Sequence, residues 1–307
     1  MSPTRFPVGL AALLLLGGAL AGCNGKDDGT SQRAVGDDSG LSDADLGTCD
    51  ASGGRQHWVI DSLAFARITE GVSEGFDLDD DASETGGAGG CGVGDVVGLD
   101  GTPGVDNAFG MLLPALETTE FVAAEGLINA TIHSGELMLV TELTGVDDPA
   151  NDPCVGVAMR RAVGEPLFGT DGEFLPGQTL DLDTSFVPVE MSEMALVDGS
   201  VEGKPFTATL PVQVINAAIE FELAQGAIRL DIDESGDATG VFAGALDTAQ
   251  LIAIATEEGI DESVVQVLDA FMSSVADLDP DEAGNCRAVS VVLIFTATPI
   301  YIYDDVW

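Results

Sequence analysis

Lysine is almost missing: Lys26 and Lys204 are the only two in 307 residues, and all basic residues number 10 against 53 acids, a formal charge of −43. Long-range repulsion therefore argues against nucleic acid, acidic lipid and phosphorylated metabolites as partners, and favours cations, basic surfaces or simply a hydrated exterior. A saline habitat, where salt screens self-repulsion, accounts for the same acidity. Aromatic residues are 6% of the chain and tryptophan occurs twice, which is thin material for a carbohydrate-stacking platform. Histidine occurs only at His57 and His133, and the cysteine spacings match no zinc knuckle. The one long apolar run, 9–20, is short for a bilayer-spanning helix.

What is present is apolar enough to fold. Hydrophobic residues make up 45% of the chain, so the acidity does not mean global disorder. The sequence opens with Arg5, continues through GLAALLLLGGAL, and reaches Leu20-Ala21-Gly22-Cys23. A positive n-region, a short apolar stretch and small residues before a cysteine form an export leader. This segment resembles a bacterial lipoprotein signal peptide, and its last four residues resemble the lipobox. The resemblance implies cleavage before Cys23, acylation of that residue and a membrane anchor. Several acyl chains hold stably where one is marginal. An ordinary secretory peptide that happens to contain Cys23 is the rival reading. Asn24 after the cysteine, where aspartate favours inner-membrane retention in enteric lipoproteins, implies export to the outer membrane, on its periplasmic or surface side. The resemblance covers the leader alone; the rest of the chain resembles no characterised family.

The organisation that follows is a leader over 1–22, a lipidated Cys23 with a flexible acidic tether over 23–54, and one domain over 55–307. The tether is Gly, Ser, Asp and Thr with almost no large apolar side chain, and a coil of this length reaches roughly 30 Å. Beyond the anchor stand four cysteines, Cys49, Cys91, Cys154 and Cys286, an even number in an exported chain, which predicts two disulfides with the pairing open.

Apolar alternation predicts strands over 57–67, 136–143, 155–161, 179–189, 206–214, 218–223, 227–232 and 288–297. Helices are expected over 107–116 behind Asp106-Asn107, over 118–134 (with a hairpin turning at Ser134-Gly135 as the competitor), from Asp247, and from Asp261. The stretch 71–106 is a long acidic Gly-rich loop, too polar for core, and loops of that length are usually functional or ion-stabilised. No internal repeat is visible. The expected fold is mainly β, a β-sandwich with a few packed helices.

Asp-x-Asp-x-(Asp/Ser) recurs four times, where composition alone gives about one match. Calcium takes six to eight hard oxygens, and alternate acids in a tight loop converge on one ion. Asp77, Asp79 and Asp81 in the long loop form one candidate, with Glu84, Asp95, Asp100 or Asp106 available to join. Asp231, Asp233 and Asp237 form another; this segment is similar to the start of an EF-hand loop, but Phe242 stands where that family needs glutamate, and strands flank it. An acidic hairpin turn is the plain reading of the second set. Asp277, Asp279 and Asp281 are a third candidate, while Asp181 and Asp183 alternate with leucines and mark a solvent-facing strand edge. Calcium is thus the one cofactor the sequence suggests.

Three catalytic spellings lack their context. Gly71-Val72-Ser73-Glu74-Gly75 matches a nucleophile elbow without the helix that should follow, and His133 is the only later histidine. Residues 87–92 spell G-x-G-x-x-G with no strand feeding it. Residues 199–204 fall one residue short of a P-loop. The expectation is a non-enzymatic exported domain, binding or structural, stabilised by calcium; the alternative is a hydrolase acting on glycans or esters outside the cell.

Overall fold

The computed structural model describes residues 53–82, 91–117, 124–214, 217–257 and 262–303; the expected leader, nearly all of the expected tether, Cys49 and Glu84 lie outside them. The elements are β1 (Gly54–Phe65), β2 (Val72–Ser73), β3 (Val96–Gly98), β4 (Pro103–Val105), α1 (Ala108–Leu116), α2 (Ala124–His133), β5 (Met138–Val146), β6 (Asp152–Val163) and β7 (Thr179–Leu182). They continue with β8 (Val189–Val197), β9 (Ser200–Val214), β10 (Ala217–Ile232), β11 (Ala238–Asp247), α3 (Thr248–Glu257), α4 (Glu262–Val275), β12 (Leu278–Pro280) and β13 (Cys286–Ile302).

Eight of these strands close a ring in the order β1-β5-β6-β8-β9-β10-β11-β13 and back to β1, every pair antiparallel. The mainly-β expectation holds, but the body is a closed barrel and not a sandwich. The reason lies in long strands that share their edges. β1 pairs with β5 through its first half, Gly54 to Val59, and with β13 from His57 to Phe65. Such stagger tilts strands and lets a sheet meet itself, which removes its edges altogether. β10, expected as two strands, is one strand bulged around Gln225, which sits at φ 50°. A bulge keeps the strand going where the polar interruption suggested a break.

The apolar alternation fixes the inner face. Trp58, Leu143, Met159, Leu230, Phe242 and Phe295 share one side of the ladder by register and belong to one buried cluster. The opposite side carries Arg229, Glu202, Glu190 and Asp61, so the ring is filled by side chains, with charge facing out. Gly240 is needed here: a Cβ at that position would stand 2.3 Å from the Phe295 ring and 2.3 Å from the Arg229 carbonyl oxygen.

Where β5 leaves β1, helix α2 takes over its edge. Asn129 accepts a hydrogen bond from the Leu63 amide and donates to the Leu63 carbonyl, and Glu125 accepts from the Phe65 amide. Two side chains thus stand in for the missing strand. The helical reading of this segment holds from Ala124 onward; residues 118–123 lie outside the described residues. β7 pairs in parallel with the end of β13 and antiparallel with the end of β6.

The acidic stretch between β1 and α1 is less loop-like than expected. It holds a small sheet, β2-β3-β4, and buries Phe76 against Ala66, Ala227, Val241, Ala243 and Val292 on the outer wall of β10, β11 and β13. Its far part is tied to the start of β13 by a disulfide, Cys91–Cys286. One disulfide, not the expected two, has both ends among the described residues; Cys154 is disulfide-bonded as well, and Cys49 lies outside.

Candidate functional site

The folded stretch on the barrel wall brings three carboxylates together. One oxygen each from Asp77, Asp79 and Asp106 lies within 4.8 Å of the other two. Asp106 is held by its Oδ2, which accepts from the Leu78 amide at 2.7 Å, and by its own amide, which donates to the Phe76 carbonyl. Asp79 is held by its Oδ1, which accepts from the Asp81 amide at 2.8 Å. The other oxygens, Asp106 Oδ1 and Asp79 Oδ2, are buried, as is Asp77 Oδ1, and none of the three has a hydrogen-bond partner among the described residues. Asp106 is 1% exposed. Gly104, at φ +94°, lets the backbone pass close by, since a Cβ there would meet Ala82 and Asp77 Oδ2.

The electrostatics are unfavourable as they stand. Burial, reinforced by the charges of Asp79, Asp277 and Asp95, pushes the Asp106 carboxyl up to about 8, against the pull of the Leu78 amide. Burial also raises Asp79, with Asp77, Asp81 and Asp80 adding to the effect. Burial lifts Asp277 to about 6 even though the Ser290 amide and hydroxyl both donate to it. Ser290 in turn accepts from the Ala108 amide at 2.7 Å, so the first residue of α1, β13 and the residue before β12 are joined through one hydroxyl. Arg229 donates to Glu74 at 2.6 Å, tying β10 to the segment just before Asp77, and Lys204 donates to the Asp77 carbonyl at 3.3 Å.

The remaining candidates are arranged differently. Asp81 contributes its amide and stands outside the carboxylate cluster. Asp231 accepts from Ser200 and pairs with Arg229. Asp233 accepts from the Ser235 and Asp237 amides, and Asp237 from the Ser235 hydroxyl, so the hairpin satisfies its own acids. Asp281 does the same with Ala283 and Asn285, while Asp279 pairs with Arg287. Ser73 is 1% exposed, donates to the Glu74 carbonyl and accepts from Asn107, the residue that caps α1. His133 lies against the rings of Phe168 and Phe174. Neither makes the contact that a nucleophile and its base require.

A second charged group, one the sequence reading passed over, sits on β5. Glu142 is 2% exposed, accepts from Arg160, and lies 3.7 Å from His57 Nε2 and 3.9 Å from Arg55. Burial alone would raise its carboxyl, but hydrogen bonds from His57 and Arg160 with their charges carry it down to about 2. The available signal was a lone acid within the apolar run MLVTELTGV. A depressed pKa contributes stability above the unfolded value of about 4.5, and that contribution is lost as pH falls from there toward about 2. Glu142→Gln should therefore destabilise the protein by about 3 kcal/mol near neutrality, with the gap closing by pH 2. Urea melts of both proteins across that range would refute this assignment if the gap stayed constant.

At the barrel end where the β5–β6, β8–β9 and β10–β11 turns meet, a cleft of about 780 Å³ is lined by His57, Trp58, Asp198, Asp233, Glu234 and Tyr301 among others. The Trp58 indole donates to the Gly236 carbonyl at 2.7 Å, fastening the acidic turn over the mouth. No family model, no curated protein and no solved structure matches the chain.

Proposed function

We propose that the chain is a lipid-anchored outer-membrane protein whose barrel acts without catalysis, as a binding or structural domain held off the membrane by its acidic tether. The leader ending in Leu20-Ala21-Gly22-Cys23 supports the anchor. The observation that carries the non-enzymatic reading is the use of Ser73: its hydroxyl is buried between Glu74 and Asn107, where it braces the start of α1. With the ring filled by side chains, a ligand has the barrel mouth and the outer walls available to it. A charge of −43 favours basic or divalent-cation partners over nucleic acid.

Cys23→Ala should move the protein from the membrane fraction to the soluble fraction of cells, and the parent should leave a panel of esters and glycans unhydrolysed. Unchanged sedimentation of the variant would end the anchor reading. Hydrolysis lost on Ser73→Ala would replace the binding role with an enzymatic one.

A further inference from the structure

We propose that Asp77, Asp79 and Asp106 bind one calcium ion, which pins the acidic stretch between β1 and α1 to the outer wall of the barrel. This goes beyond the reading above and stands whether or not the chain is lipid-anchored.

Three features separate this cluster from the other acidic turns. The first is convergence: three oxygens within 4.8 Å of one another have a common point no more than about 2.8 Å from each, so a shift of a few tenths of an ångström brings them to calcium–oxygen distances. The second is vacancy of the lone pairs. Asp106 is 1% exposed, yet its Oδ1 has no partner among the described residues, and Asp77 and Asp79 each carry one buried oxygen that is likewise unpaired. A buried carboxylate oxygen left without a donor is costly, so such atoms call for a cation. The third is preorganisation: Asp79 and Asp106 each spend one oxygen on a backbone amide and keep the other free, a division that orients a ligand without consuming it. The turns at Asp233 and Asp281 spend their carboxylates on their own amides and hydroxyls and need no ion.

Hard oxygen donors select calcium over softer metals, and carbonyls and water complete its coordination. The ion has a mechanical consequence. Leu78 lies between two of the ligands in sequence and packs against Ala245, Leu278 and Ala288, while Phe76 packs on the wall beside it. Gathering the three acids is therefore coupled to laying these two apolar side chains on the barrel.

The test uses the purified chain in detergent, melted in excess calcium, in chelator, and in sodium chloride of matched ionic strength. Calcium should raise the unfolding midpoint by about 5–10 °C over chelator at a hundredfold excess over its Kd, with sodium giving no such rise. Asp106→Asn preserves shape and an acceptor for the Leu78 amide while removing one buried charge. In chelator the variant should melt at or above the parent; in calcium it should fall below it, with calcium affinity by titration calorimetry reduced at least tenfold. Asp233→Asn should leave the calcium response intact. Calcium and sodium acting alike, or Asp106→Asn responding to calcium as the parent does, would overturn the site. Should Asp106→Asn fail to fold, Asp79→Asn and direct calorimetric titration of the parent decide the question, absence of binding by the parent being fatal.

Discussion

Phe295→Ala is expected to remove about 3–5 kcal/mol of stability, a fall of roughly 10 °C in the unfolding midpoint for a body of this size. Phe295 is 3% exposed, points into the ring, and stands opposite Leu63 on β1 and Gly240 on β11. Its ring lies over Gly240, close enough that a Cβ there would collide with it. Truncation therefore opens a void that backbone on two strands cannot close, which is the costly case for a cavity. Gly240→Ala gives no relief in that background, because the Arg229 carbonyl blocks the same space. Thermal melts of the two single variants and the double decide this. A Phe295→Ala protein losing under 1 kcal/mol would mean that the ring interior is not the packed core described above.

Removing the bridge by the paired changes Cys91→Ser and Cys286→Ser should cost roughly 2–5 kcal/mol. The two residues are 195 positions apart, so their link excludes a large share of the unfolded chain's conformations, and the chain-entropy model puts such loops at the upper end of that range. The bridge also holds the same acidic stretch that the carboxylate cluster fastens on either side of Cys91, through Asp77 and Asp79 before it and Asp106 after it. The two restraints act on one segment, so their losses should not add. Denaturant melts of the paired variant with and without calcium measure both effects. A variant as stable as the parent would show that the bridge closes on a segment already fixed by packing alone.

Much of the strand content was legible because apolar alternation survives in an acidic chain. The runs at β5, β6 and β13 were found within a few residues of their ends. The run at β11, ATGVFAGALD, was missed because its glycines and alanines look like loop while serving tight contacts with Phe295 and Leu223. Ring closure was illegible in principle: nothing in the residues of β1 announces that β13 will lie beside it, and a sandwich uses the same alternation. The acid pattern at Asp77, Asp79 and Asp81 lies in the stretch where the carboxylates gather, but Asp81 stands outside the cluster. Asp106 was one of four acids that could have joined, and only the fold of the small sheet selects it. Glu142 escaped because its partners, His57 and Arg160, come from two other strands.

The seam between β1 and β13 has a consequence for how the protein is made. Each neighbour in the ring is the next long strand in sequence, so the barrel can grow by successive hairpins, yet its last joint unites the two ends of the domain. Until residues 286–302 arrive, β1 and β11 both show bare edges, ready templates for a neighbouring chain. Contacts this distant in sequence also form slowly. During that interval the strong negative charge already carried by the residues made opposes the approach of identical incomplete chains. Acidity on this scale therefore works against edge-to-edge pairing of incomplete copies as well as against association of finished ones.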